Sequence, residues 1–307
     1  MLYDLKGVIP ILPTPFNADE SIDESSFETI LNFIKAAGCT TIGLPAFGSE
    51  FYKLSGDERN RILDIVFKNA GDLNIIVQCN HPSPTIVQAL IKDAESRGAA
   101  AINSALPRMM PVSENQLYQY ASMVCRSTTL PVIIQDYNPG GAIVGLGFAK
   151  KLSDEFENFR FIKYEVPGIG PLINDILEAT RHKVKVFSGW GGSYVLEQFA
   201  AGITGIIPGI PLVDYFIKLW DHLSVGNEKT ALQMFTAIAP YLGFSLQHLE
   251  MFHHVEKQLA VRRGIIHSAV VRRVTVELDR YQTAYLELIL DQTCDAIVQY
   301  GFKLKVD

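Results

Sequence analysis

The residue best suited to carry chemistry is Lys163, which ends the short apolar run 159–163. Such a run predicts a buried strand, and burial penalises the charged form of an amine. A lysine in an apolar pocket can therefore act as a nucleophile toward carbonyl carbon near neutral pH. The alternative is a strand-end lysine that only extends its amine into water. The place of this strand in the fold distinguishes the two readings.

The composition excludes several classes of protein. The chain has 307 residues, 48% hydrophobic and 20% charged, with a formal net charge of −6. This predicts a globular fold with a large core and gives no basic patch for nucleic acid or anionic lipid. The four cysteines form no CxxC pair, so we expect neither a disulfide framework nor a zinc site. No apolar stretch approaches the roughly 20 residues of a membrane helix, so we expect a cytoplasmic protein with no membrane partner.

Short apolar runs alternate with longer amphipathic segments, which is typical of parallel strands joined by crossover helices. The predicted strands are 8–12, 41–44, 74–79, 100–104, 131–135, 159–163, 185–188 and 205–207. The predicted helices between them are 23–37, 55–70, 84–97, 113–126, 147–154, 171–180, 193–201 and 211–223. Eight such units predict an α/β fold, a (β/α)8 TIM barrel. An open doubly wound sheet is the alternative, but no GxGxxG motif follows the first strand.

The pattern changes near residue 226. Segments 227–242, 245–263 and 283–300 read as helices without strands between them. We therefore predict a barrel domain at 1–225 and a C-terminal helical extension at 226–307, packed on the barrel.

Barrel enzymes build their active sites at the carboxyl ends of the strands. Lys163 ends the sixth predicted strand, which is the layout of an aldolase that works through an imine. Other polar or flexible positions follow the remaining strands: Thr14, 46–50, Asn80, His81, 135–137 and 189–193.

Four short segments resemble the sequence motifs of a known enzyme family. They are 7–16 (GVIPILPTPF), 46–50 (AFGSE), 161–165 (FIKYE) and 187–189 (FSG). In type and spacing they resemble the dihydrodipicolinate synthase and N-acetylneuraminate lyase family of Schiff-base barrel enzymes. The resemblance implies that Lys163 forms the imine and that no cofactor is needed.

The chain departs from the synthase pattern at the proton relay. Gln135 stands where the synthase has a strand-five tyrosine, and Asp136 and Tyr137 follow directly. Segments 46–51, 134–136, 163–168 and 262–264 look like the branch that contains L-2-keto-3-deoxyarabonate dehydratase. This resemblance implies a lyase that dehydrates a 2-keto-3-deoxy sugar acid. The alternatives are a pyruvate-dependent aldolase and a catalytically silent paralogue that binds a keto acid.

Residue roles follow from strand position and resemblance. The predicted catalytic residues are Lys163, Tyr137, Asp136 and Gln135, and the predicted substrate-binding residues are Gly48, Ser49, Phe47, Asn80, His81, Glu165, Gly189 and Ile207. The family places carboxylate recognition in the loop of Gly48 and Ser49, where backbone amides and the serine hydroxyl can donate. Structural alternatives remain: His81 could begin the next helix, Tyr137 could pack in a loop, and Glu165 could anchor one.

The remaining expectations concern ligands and assembly. His248, His253, His254 and Glu256 lie in the helical extension, and adjacent histidines point to different helix faces, so we predict no metal site there. The expected partner is a small 2-keto acid. The resemblance also implies a homodimer or homotetramer.

Overall fold

The computed structural model describes residues 5–305 of the chain. The strands are β1 Gly7–Val8, β2 Thr41–Leu44, β3 Asn74–Gln78, β4 Ala101–Ala105, β5 Val132–Asp136, β6 Phe159–Tyr164, β7 Lys185–Ser188 and β8 Gly205–Ile206. The α-helices are α1 Ser26–Ala36, α2 Gly56–Asn69, α3 Pro84–Ser96, α4 Glu114–Arg126, α5 Leu146–Glu155, α6 Gly170–Ala179, α7 Val195–Ala200, α8 Val213–Ser224, α9 Glu228–Ser245, α10 Leu249–Arg262 and α11 Arg280–Gln299.

The strands form a single sheet in the order β1-β8-β7-β6-β5-β4-β3-β2. Beyond β1 the chain meets β2 through a parallel bridge between Ile11 and Gly43, so the two ends of this order are neighbours. The fold is therefore a (β/α)8 barrel followed by C-terminal helices, which confirms the predicted fold class and excludes the open sheet.

The first strand is shorter than predicted. The sequence suggested residues 8–12, whereas regular pairing ends at Val8 and resumes only as the bridge at Ile11. Pro10 lies between them, and proline has no N–H to donate to a strand ladder. The other strand boundaries agree with the prediction to within about one residue.

The strands are buried on both faces, as expected of a parallel sheet covered by helices. Every residue of β2, β4 and β5 is buried. In the register of β5 and β6, Gln135 pairs with Lys163 and Asp136 with Tyr164. Because successive strand residues point to opposite faces, Gln135 and Lys163 share one face and Asp136 and Tyr164 share the other.

Local signals in the sequence define the helix ends. Ser55 caps α2 by accepting from the Glu58 amide while the Glu58 carboxylate accepts from the Ser55 amide. Ser113 and Gln116 form the same capping box at α4. Glycines follow the ends of four helices in the left-handed region, at Gly38, Gly71, Gly98 and Gly202. Glycine adopts this conformation without the steric cost that a side chain would add.

Backbone contacts divide the chain into two compact units. Among the described residues, the first contains 5–7 and 74–207, and carries β3–β8 and α3–α7. The second contains 8–73 and 208–305, and carries β2, α1, α2 and α8–α11. The division into a 1–225 barrel domain and a 226–307 extension stays a prediction. None of the helices within residues 5–305 is both long and apolar enough to cross a membrane.

Candidate active site

Lys163 is the last residue but one of β6 and is only 5% exposed. Its Nζ lies 2.8 Å from Oε1 of Glu165, two residues further along the chain. Both side chains are buried, so the amine is held beside a carboxylate in a site of low solvent access. The alternative of a lysine that extends into bulk water does not describe this side chain.

Glu165 holds more than the lysine. Its Oε1 accepts a hydrogen bond from Nε2 of Gln135 at 2.7 Å, and its Oε2 accepts one from the backbone N–H of Trp190. A carboxylate with donors on both oxygens is fixed in orientation. Glu165 therefore fixes the position of the Lys163 amine and also anchors the turn after β7. The two readings of Glu165 from the sequence, amine positioning and loop anchoring, both describe its contacts.

The turn after β7 is shaped around this carboxylate. Trp190, Gly191 and Gly192 all have positive φ, and the Gly189 amide donates to the Tyr164 carbonyl at 2.8 Å. A Cβ placed on Gly189 would lie 2.1 Å from Oε2 of Glu165. Gly189 is therefore required for the Glu165 carboxylate to lie across the turn. The Trp190 amide already donates its hydrogen bond to Glu165, so it is not available to a ligand.

We expect Gly189→Ala to displace Glu165 and to lower the rate of a reaction at Lys163 about 100-fold, because misplacing reacting groups by about 1 Å has effects of this size. Gly147→Ala is a matched control, since a Cβ there meets no atom within 4 Å. Steady-state kinetics on both variants measure the difference. Equal activity of the two would show that the turn tolerates a side chain.

A layer of buried polar side chains continues from this pair across the neighbouring strands. Nδ2 of Asn103 on β4 donates to Oε1 of Gln135 at 3.4 Å, and Nδ2 of Asn80 donates to Oε1 of Gln78 at 3.2 Å. Nε2 of Gln78 and Oδ1 of Asn103 have no hydrogen-bond partner within residues 5–305. Buried polar groups are normally satisfied, so these two atoms indicate room for a polar ligand or water.

Sequence reasoning missed Gln78 and Asn103. The signal was present, because each is an amide that directly follows apolar residues of a predicted buried strand. Their register confirms a shared face, since Gln78 pairs with Asn103.

Asp136, a predicted catalytic residue, belongs to a different contact group. Its carboxylate is fully buried, binds both Nε and Nη2 of Arg108 at 2.8–3.0 Å, and accepts from the Val144 amide at 2.7 Å. Burial raises the pKa of Asp136, and the hydrogen bond from Val144 and the pairing with Arg108 oppose that shift. These contacts, on the face of β5 opposite to Gln135, favour a structural role that joins the loops after β4 and β5. No local sequence pattern indicates that Arg108 is its partner.

Tyr137 is half-buried, and its ring stacks on that of Trp190 at a centroid distance of 6.1 Å. Burial, and next the negative charge of Glu165, raise the pKa of the phenol to about 12. The hydroxyl therefore stays protonated at neutral pH and acts as a proton or hydrogen-bond donor rather than a base. The ring also packs in a loop, as the alternative reading of Tyr137 supposed.

Three further predicted residues have defined contacts. Asn80 is buried, and its Oδ1 accepts from the Ala105 amide at 2.8 Å. Nδ1 of His81 accepts from the Ser83 amide at 2.9 Å just before α3, so His81 shapes the start of that helix. Ile207 is buried directly after β8, and its amide donates to the Ser188 carbonyl at 2.9 Å.

The loop after β2 begins with a short 3₁₀ turn at Phe47–Ser49. The Ser49 hydroxyl donates to the Leu12 carbonyl and accepts from the Ala46 amide, so its proton is already used. This corrects the expectation that the hydroxyl would donate to a substrate. The Gly48 amide opens the turn and has no acceptor within it, so it is a donor that the loop can offer.

Glu50 closes this loop as a buried anchor. It adopts a left-handed backbone conformation and is fully buried. Its carboxylate pairs with Nζ of Lys257 at 2.5 Å and Nζ of Lys53 at 3.0 Å, and accepts from the Arg272 amide at 3.2 Å. Burial lowers the pKa of Lys257, and the neighbouring Glu50 carboxylate opposes this shift. The loop after β2 is therefore fixed to α10.

The histidines of the helical extension have separate partners. His248 caps α10 by accepting from the Glu250 amide, His253 contacts the Tyr52 hydroxyl, and His254 contacts the Thr275 hydroxyl. No group of three potential metal ligands occurs within residues 5–305.

The fold and the buried lysine–glutamate pair define a (β/α)8 barrel with an amine at the end of its sixth strand. The chain belongs to the dihydrodipicolinate synthetase family, whose model matches residues 4–292. Members of this family are lyases that use a lysine Schiff base and need no metal or external cofactor.

Among characterised relatives, the chain is 23% identical to L-2-keto-3-deoxyarabonate dehydratase of Azospirillum brasilense, over 77% of this chain and 78% of that protein. It is 30% identical to 4-hydroxy-tetrahydrodipicolinate synthase of Chlorobium phaeovibrioides, over 66% and 69% of the two chains.

Solved structures share the fold. A dihydrodipicolinate synthase from Rhodopseudomonas palustris superimposes with a TM-score of 0.88 at 19% identity, over 95% of this chain and 99% of that one. A prophage protein of E. coli K12 from the dihydrodipicolinic acid synthase family, in complex with pyruvate, gives 0.83 at 21% identity, over 94% and 98%.

Proposed function

We propose that this protein is a Schiff-base lyase that dehydrates a 2-keto-3-deoxy sugar acid. The observation that carries the proposal is the buried Lys163 amine 2.8 Å from Glu165, with Gln135 hydrogen-bonded to the same carboxylate. The similarity to L-2-keto-3-deoxyarabonate dehydratase supports the reaction class. A cytoplasmic location and a homodimeric or homotetrameric assembly remain predictions.

The reaction begins when neutral Lys163 attacks C2 of the keto acid and water leaves, which gives a protonated imine. Loss of a proton from C3 then forms an enamine, because the protonated nitrogen accepts the electron pair. Protonation of the C4 hydroxyl lets it leave as water. Hydrolysis of the resulting imine consumes one water and returns the free amine, so the net change is loss of one water.

Glu165 is the group that can exchange a proton with Lys163, because it is the carboxylate in direct contact with Nζ. Gln135 has no titratable proton, so it orients Glu165 rather than relaying protons. Tyr137, protonated at neutral pH, is the candidate donor to the departing hydroxyl. Binding of the substrate carboxylate at the loop of Phe47, Gly48 and Ser49 stays a prediction from the family resemblance.

The lysine assignment is tested by borohydride reduction with pyruvate. A reduced adduct on Lys163, located by mass spectrometry, is the expected result. Absence of an adduct at that lysine would overturn the enzyme proposal and leave the keto-acid-binding paralogue. Reduction without pyruvate is the control.

The type of lyase is tested by product analysis with 2-keto-3-deoxyarabonate. Dehydration releases no pyruvate, whereas breakage of the C3–C4 bond by retro-aldol cleavage does. Pyruvate as the product would replace the dehydratase with an aldolase on the same lysine.

A further inference from the structure

A row of buried carboxamides crosses three strands of the first compact unit, on the face that carries Lys163. In the strand register Gln78 of β3 pairs with Asn103 of β4. Asn103 lies two residues before Ala105, which pairs with Gln135 of β5, and Gln135 pairs with Lys163. Residues two apart on a strand share a face, so the three amides and the lysine point the same way. Gln78 and Asn103 are each 1% exposed. The row therefore lies where bulk water does not reach.

A backbone group sets the direction of hydrogen bonding at one end of the row. The Ala105 N–H donates to Oδ1 of Asn80 at 2.8 Å, and a backbone N–H can only donate. Asn80 therefore presents its Nδ2 to the next side chain, and this group donates to Oε1 of Gln78 at 3.2 Å. The Gln78 amide is oriented in turn, with Nε2 as the last donor of this half.

A carboxylate sets the direction at the other end. Oε1 of Glu165 accepts from Nε2 of Gln135 at 2.7 Å and lies 2.8 Å from Nζ of Lys163, and a carboxylate can only accept. Oε1 of Gln135 therefore faces Asn103, whose Nδ2 donates to it at 3.4 Å. The Asn103 amide is oriented in turn, with Oδ1 as the last acceptor of this half.

The two halves end at a donor and an acceptor that do not bond to each other. Nε2 of Gln78 and Oδ1 of Asn103 are both buried, and neither has a hydrogen-bond partner in the part of the chain that the structure describes. Neither amide can turn over without losing the bond that orients it. A ligand between them must accept from Gln78 and donate to Asn103. A hydroxyl oxygen does both, whereas a cation needs acceptors on both sides and an anion needs donors on both sides.

We propose that Gln78 and Asn103 form a binding site for one hydroxyl oxygen. The bound oxygen completes a chain of hydrogen bonds that runs in one direction from the Ala105 amide to the Glu165 carboxylate beside Lys163. Two sources have the required chemistry: a water molecule and a hydroxyl group of a keto acid held at Lys163. Only the second source rests on the proposed function.

Crystal structures of the unaltered protein and of Gln78→Met test the site, without ligand and after borohydride reduction with 2-keto-3-deoxyarabonate. Methionine fills a similar volume but has no N–H to donate. We expect an oxygen within about 3.2 Å of both atoms in the unaltered protein, and its loss in the variant. A water that persists in the reduced adduct identifies water as the source, and a ligand hydroxyl in its place identifies the keto acid.

Three results would overturn the proposal. They are a direct hydrogen bond between Gln78 and Asn103, an oxygen that keeps its place in Gln78→Met, and the absence of an oxygen at this position from both structures of the unaltered protein. Failure of the proposed function has a different signature. A protein that forms no adduct at Lys163 contradicts that function, while the structure without ligand still tests the hydroxyl site through bound water.

Competition in solution distinguishes the two sources independently. The measured quantities are the pyruvate concentration for half-maximal trapping at Lys163 and the 2-keto-3-deoxyarabonate concentration that halves this trapping. If the keto acid supplies the hydroxyl, Gln78→Met raises the second quantity about fivefold more than the first, the effect of one lost hydrogen bond. If water supplies it, both change equally or neither changes. Gln119→Met, on the exposed side of α4, is the control for the substitution, and thermal unfolding by circular dichroism reports any folding defect.

Discussion

Lys163→Ala is expected to abolish adduct formation with pyruvate and to lower turnover of the keto acid by at least about 10⁴-fold, since removal of a covalent nucleophile has effects of this size. The physical reason is that the imine accepts the electron pair left behind when C3 loses its proton. Gln135, the side chain opposite in the register of β5, has no nucleophilic amine. Turnover and mass spectrometry after borohydride reduction measure the two effects.

Lys185→Ala is the matched control for this substitution. Lys185 also lies on a barrel strand, but it begins β7, whereas Lys163 lies near the end of β6. Its loss should leave the adduct and turnover within a few-fold of the unaltered protein. Residual turnover in the Lys163 variant above one hundredth of normal would show that the amine positions the substrate without forming a bond to it.

Lys257→Met is expected to lower the free energy of unfolding by about 3 kcal/mol, because removal of one partner leaves the other charge buried. Lys257 is 1% exposed and Glu50 is fully buried. In the variant the Glu50 carboxylate keeps Lys53 and the Arg272 amide, which do not replace the charge and geometry of the lost contact. Urea unfolding followed by circular dichroism measures the change.

The double variant Glu50→Gln with Lys257→Met should recover part of this loss. Neither residue then carries a charge, and Lys53 retains Glu250 at 2.6 Å as its partner. Lys150→Met is the control, because its pairing with Asp154 lies on the surface, where such pairs contribute less than about 1 kcal/mol. If the single and double variants lose equal stability, packing of the lysine stem is what matters at this site.

The elements that could be predicted from the sequence are those whose signal is local. The strand at 159–163 was identified because its apolar run is short and bounded, and the helix ends because glycine and capping residues act within a few positions. The Lys163 nucleophile followed from the same run. The predicted extent of the first strand was wrong because Pro10 interrupts its hydrogen bonding, although the hydrophobic run itself is continuous.

The candidate site was harder to predict because it depends on which face of a strand each residue occupies. Gln135 and Asp136 are adjacent in sequence, yet one contacts Glu165 and the other contacts Arg108. A shift of one residue in register exchanges the two faces, and the sequence does not fix the register. Glu165 and Trp190, or Glu50 and Lys257, meet through the tertiary fold, and no local pattern predicts such pairs.

The crowding between Gly189 and Glu165 limits the order in which the two positions can change during evolution. A side chain at 189 meets the carboxylate at once, because the added Cβ would lie about 2 Å from Oε2. A smaller residue at position 165 removes that obstacle, so the loss of Glu165 opens position 189 to alanine or serine. Return to glutamate is then blocked until glycine is restored. A descendant protein that has lost Glu165 and gained a side chain at position 189 would need two substitutions to recover the carboxylate. Its chemistry would therefore tend to diverge.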